Sequence, residues 1–102
     1  YVPSLVHASL DLLFDGAQGI WHLTNEGQIT WYDFLCQVAE NLAIKTSDIV
    51  GRRRSESMFM AKRPAYSALS SRYGSILPSL SEGIALYCDQ RMANEDRSLL
   101  PA

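Results

Sequence analysis

The stretch best suited to chemistry is Ala61-Lys62-Arg63-Pro64-Ala65-Tyr66-Ser67-Ala68-Leu69, a basic pair set directly before a proline and an aromatic run. Proline fixes its own φ and pushes the preceding residue toward extended backbone, so Arg63 is offered from a rigid turn rather than from a mobile helix. A guanidinium held that way can grip a carboxylate or a phosphate with two parallel hydrogen bonds. A structural bend carrying a solvated arginine is the competing reading of the same residues.

Other candidate centres lack the partners their chemistry requires. His7 has Asp11 one helical turn away, but a hydrolytic triad also needs a nucleophile on a strained elbow such as Gly-x-Ser-x-Gly, which the chain lacks. The pair reads as a solvated i, i+4 contact. His22, between Trp21 and Leu23 in a strand-like run, is expected to be a buried, hydrogen-bonded imidazole. Neither the Gly-x-Gly-x-x-Gly of a dinucleotide site nor the Gly-Lys-Ser/Thr ending of a phosphate loop occurs. Cys36 and Cys88 are far apart, without the Cys or His spacing of a metal site, so no metal is expected. With no disulfide framework, a reducing, cytoplasmic compartment is expected.

These residues must be positioned by a chain of 102 residues, enough for a single domain or a piece of one. An apolar share of 47% with 20% charged residues indicates a globular, soluble chain rather than disorder. No apolar run reaches the roughly 18 residues a membrane span needs, and no export signal opens the chain. A net charge of −2 argues against a nucleic-acid partner, since such domains are usually strongly basic. Tyr1 stands where an initiator Met is expected, and the entry reads as a cut in a longer protein.

The first helix is expected from about Pro3 to Asp15, with Gly16 as its left-handed terminator. Ser4, His7, Asp11 and Asp15 form one narrow polar stripe, while Leu5, Val6, Leu10, Leu13 and Phe14 help cover the rest of the circumference. Such a helix needs cover on more than one side, so part of it should dock on protein beyond this chain, with a homodimer as the rival explanation. Residues 19–24, which include Ile20, Trp21 and Thr24, and residues 66–69, which open on Tyr66, are expected as short strands. Thr30 and Asp33 cap a second helix whose Trp31, Phe34, Leu35, Val38, Ala39 and Leu42 share a face.

After one short turn around residues 45–50, the passage from Gly51 to Met60, with Arg52 to Arg54, Glu56 and Met58, reads as loop. Ser79 and Glu82 form a capping box for a last helix bearing Leu80, Ile84, Tyr87, Cys88 and Met92 on one face. Residues 93–102 are expected to be a fraying polar tail. A helix-turn-helix is the sharpest rival, since Ala39, Leu42, Ala43, Ile44 and Ile49 have its apolar spacing. Gly51, however, would stop the recognition helix after about one turn, too short to read a major groove.

In order along the chain, Tyr1-Val2-Pro3-Ser4-Leu5-Val6-His7-Ala8, Gly19-Ile20-Trp21-His22-Leu23-Thr24-Asn25, Thr30-Trp31-Tyr32-Asp33-Phe34 and the Arg63-Pro64-Ala65-Tyr66-Ser67 block resemble the C-terminal part of dTDP-4-dehydrorhamnose reductases, in the extended short-chain dehydrogenase/reductase superfamily. The resemblance implies a substrate-binding portion, residues 1–92, of an enzyme of dTDP-rhamnose biosynthesis that reduces a 4-keto nucleotide sugar with NADPH or NADH. It places Arg63 near the diphosphate of the nucleotide sugar, with Lys62 adding positive potential. Trp21, Asn25 and Tyr66 then act as structural supports, and Arg52 to Arg54 as a solvated loop face.

Two positions depart from the family pattern, with Ser4 and Ser70 where aspartate is common. The superfamily's catalytic Tyr-x-x-x-Lys is also missing, because Tyr87-Cys88-Asp89-Gln90-Arg91 carries arginine in place of the lysine. The expectation is therefore an α+β chain with about three main helices and a few short strands. It has no catalytic residue and no cofactor of its own, is inactive alone, and is completed by an N-terminal Rossmann domain. A regulatory nucleotide-sugar-binding protein of the same fold, of the type of the methionine adenosyltransferase regulatory subunit, is the alternative.

Overall fold

Pro3 sits in the second position of helix α1, Val2–Phe14, where its missing N–H is not called on by the helix ladder. The helix ends at Asp15, and Gly16 takes a φ of +66°. The Ala17 N–H then donates to the Leu12 carbonyl at 2.9 Å and the Gly16 N–H to that of Leu13 at 3.2 Å, which closes a Schellman stop. In the computed structural model, residues 1–53 and 60–98 are described. Arg54, Glu56 and Met58 of the expected loop, and residues 99–102 of the expected tail, lie outside them.

Helix α2, Trp31–Asn41, begins as the Thr30 hydroxyl accepts the Asp33 N–H at 3.1 Å. Its end uses the same stop as α1 with a different residue. The Ile44 N–H reaches the Ala39 carbonyl at 2.8 Å, and Ala43 takes the left-handed position at φ +55°. A single 3₁₀ turn, Thr46–Asp48, follows. Between α2 and Gly51 there is therefore no second helix to enter a major groove, and the helix-turn-helix reading falls. Gly51 lies under the Tyr32 ring, where a Cβ would come within 3.2 Å of the ring edge.

Helix α3, Leu80–Ser98, opens on the expected capping box. The Ser79 N–H donates to Glu82 Oε2 at 2.9 Å, and the Glu82 N–H returns a bond to Ser79 Oγ at 3.3 Å. These bonds from the Ser79 side chain and backbone hold the Glu82 carboxyl below the usual glutamate value. The helix does not fray at Ala93 but runs on to Ser98. Polar side chains are no obstacle to an exposed extension, because the backbone bonds close within the helix and Arg91 pairs with Glu95 one turn on at 3.2 Å.

The α+β expectation is overturned, because the described residues form three α-helices and the 3₁₀ turn, with no strand. Residues 19–24 and 66–69 carry strand-forming side chains, but a strand exists only against a partner in register. Among the described residues the backbone pairs only at Glu26 and Ser79, as an isolated parallel bridge. His22 is corrected with it. Trp21 and Leu23 are half-buried and His22 is exposed, since no second layer covers its side of the chain.

The core lies where α2 packs on α3, and the 3₁₀ turn packs against α2. Ala39, Ile84 and Cys88 are buried there, while Ala8 is the buried residue of α1. Leu13 and Phe14 of α1 remain 71% and 81% exposed. The radius of gyration is 17.4 Å, against about 13 Å for a close-packed domain of this size. The chain is thus an open slab, 23 Å in its thinnest dimension.

Candidate functional site

Glu26 anchors a concave surface formed by two segments far apart in sequence. Its carbonyl accepts the Leu80 N–H at 2.9 Å, tying the segment 24–28 to the start of α3. Gly27 permits this close approach. Its φ of +125° is open to glycine, and a Cβ there would lie 3.4 Å from that of Leu80. Two residues before Gly27, Asn25 Nδ2 donates to the Pro78 carbonyl at 2.8 Å.

The facing wall comes from the segment after Arg63-Pro64. The Tyr66 hydroxyl donates to Gln28 Oε1 at 2.7 Å, joining residues 38 apart in sequence. Between these walls runs a groove of about 490 Å³, bounded by residues 24–28 on one side and by Tyr66, residues 68–71 and Ser75 on the other. Its polar groups are mainly hydroxyls and amides. Among the described residues Glu26 is the one charged group lining it. Ser71 Oγ is buried with no hydrogen-bond partner. Another depression, of about 390 Å³, runs along α3 between Tyr87 and Ser98 and is the surface of a single helix.

Lys62 and Arg63 lie on the surface in a non-helical stretch that leads into Tyr66. Their reach to the groove is set by the chain itself. Arg63 lies three positions before Tyr66, and extended backbone spans at most about 11 Å over those three steps. Trp21 packs on Tyr73 with ring centroids 4.5 Å apart, and its Nε1 donates to the Gln18 carbonyl at 3.2 Å. Trp21, Asn25 and Tyr66 thus all make internal contacts. His7 and Asp11 are both exposed on α1. Cys36 and Cys88 are free thiols, and among the described residues no cluster of His, Cys, Asp and Glu could hold a metal.

Sequence reasoning did not find Gln28, Ser71 or Ser75 as site residues. No local pattern could have pointed to them, because their proximity depends on how residues 24–28 and 66–75 come together. The residues present do not fit a nicotinamide cofactor. The chain has no Gly-x-Gly-x-x-Gly, and the described residues offer no strand from which such a loop could spring. No described helix is long and apolar enough to cross a membrane.

Residues 2–76, which contain Lys62, Arg63 and every residue of the groove, match the RmlD substrate binding domain family, and the chain belongs to it. It is similar to the spore coat polysaccharide biosynthesis protein SpsK of Bacillus subtilis (strain 168), with 35% identity over 72 residues. That match covers 71% of this chain and 25% of SpsK, so the chain spans about a quarter of this curated relative. No solved structure matches it.

Proposed function

We propose that this chain is the substrate-binding part of an NAD(P)H-dependent reductase of nucleotide sugars, similar to dTDP-4-dehydrorhamnose reductases, working in the cytoplasm. Arg63 binds the diphosphate and Lys62 adds positive potential beside it. The hydride-transfer machinery belongs to an N-terminal Rossmann domain, and the chain is inactive alone. The observation that carries this reading is the family match, which spans both the basic pair and the groove. Sugar chemistry is also in keeping with the polysaccharide biosynthesis role in the name of SpsK. The uncovered apolar face of α1 and the open slab favour a chain that works packed against further protein.

Arg63 acts here by electrostatics and geometry alone. A planar guanidinium offers paired donors to adjacent phosphate oxygens. The test is calorimetric titration of the full-length protein with a dTDP-sugar. Arg63→Ala is expected to weaken binding by about 1.5–3 kcal/mol, the scale of a lost hydrogen bond to a charged group, with the melting temperature unmoved. Equal affinity in the variant removes the diphosphate role. Titration of the 102-residue chain with NADPH is expected to show no binding, and tight binding would overturn the assignment of the cofactor to another domain.

A further inference from the structure

Resting on the reading above, we infer that the groove between residues 24–28 and 66–75 holds the uncharged, hydroxyl-bearing sugar ring of the ligand, with the Gln28–Tyr66 pair as its principal polar contact. The lining chemistry selects this part of the molecule. Among the described residues Glu26 is the only charged one lining the groove, and a carboxylate repels a diphosphate while it accepts hydrogen bonds from neutral hydroxyls. The cations Lys62 and Arg63 lie outside the lining, within about 11 Å of Tyr66 along the chain. A nucleotide sugar has the same division, an anionic diphosphate bonded directly to a neutral polyol.

The Gln28–Tyr66 bond leaves a complementary set of groups unused. Tyr66 spends its single O–H on Gln28 Oε1 and keeps lone pairs on its oxygen, while the Gln28 amide keeps its two N–H donors. A vicinal diol can donate to the first and accept from the second. The Tyr66 ring, 71% exposed, adds an apolar face for the C–H side of a pyranose. Ser71 also lines the groove, and its buried hydroxyl has no hydrogen-bond partner among the described residues.

The experiment follows backbone and side-chain amides of the 102-residue chain by nuclear magnetic resonance, titrating dTDP and dTDP-glucose separately to millimolar concentration. Both ligands are expected to shift amides at 62–63, and dTDP-glucose alone those of 24–28, 66–71 and the Gln28 side chain. The wild-type chain should bind dTDP-glucose about tenfold tighter than dTDP. Gln28→Ala and Tyr66→Phe, each at an exposed position, should bring that ratio close to one. Shifts at 62–63 from both ligands with no added response in the groove, or a ratio untouched by both variants, overturn the sugar assignment and leave the diphosphate reading standing. No response to either ligand overturns both.

Discussion

Asn25 lies directly over Gly83, its Nδ2 3.0 Å from where a Cβ on that glycine would sit, while the same nitrogen donates to the Pro78 carbonyl at 2.8 Å. The first turn of α3 and the segment that walls the groove therefore meet where a side chain is missing. Gly83 is buried, so the contact belongs to the core as well as to the groove.

Gly83→Ala sets two opposed effects against each other. Alanine in a helix interior gains about 1 kcal/mol over glycine. Here its methyl group displaces Asn25, breaks the bond to Pro78 and leaves a carbonyl unpaired, at a cost of about 1–3 kcal/mol. Net destabilisation of about 1 kcal/mol is expected in urea unfolding. In an Asn25→Ala background the clash is gone, and the same substitution should become neutral or stabilising.

Ala43→Gly is expected to stabilise the chain by about 0.5–1 kcal/mol. Ala43 occupies the left-handed terminating position of α2 at φ +55°, where a Cβ costs about 1–2 kcal/mol and the greater freedom of unfolded glycine offsets part of the relief. Thermal unfolding followed by circular dichroism checks the sign, and a lower melting temperature contradicts the cap assignment.

The capping box on α3 predicts an acid-sensitive helix start. Glu82 titrates below its ordinary value because the Ser79 hydroxyl and N–H bond to the charged carboxylate. The unfolded chain therefore binds this proton more readily, and stability rises with pH across the window. The contribution is complete above about pH 4.5, the usual glutamate region, and is lost as pH falls through the lowered value. Amide exchange at residues 80–83 should accelerate on acidification in the wild type, and Glu82→Gln should flatten that dependence.

Apolar side chains of α1 and α3 are expected to differ sharply in energetic weight. Ile84 is 4% exposed, and Ile84→Ala should cost about 2–5 kcal/mol, a large part of the stability of any small domain. Leu13 is 71% exposed, and Leu13→Ala should change stability by less than about 0.5 kcal/mol. Equal costs in denaturant titrations of the isolated chain would mean that α1 is covered in solution.

Helix ends were legible because their chemistry is local. Thr30 with Asp33, Ser79 with Glu82, and Gly16 after α1 each act within three or four residues, so neighbours in sequence suffice to specify them. The left-handed Ala43 was not legible, since alanine carries no turn signal and accepts that conformation only when the surrounding fold demands it.

The sequence alone determined where the helices begin and that the chain holds no glycine-rich cofactor motif. Tertiary structure decided that residues 19–24 and 66–69 form no strand, that α3 continues through its polar end, and that Gln28 meets Tyr66 across the groove. The division has one physical cause. Caps and turns are satisfied by atoms a few bonds away, whereas a strand, a groove wall or a buried face needs a partner that only the folded path of the chain brings near.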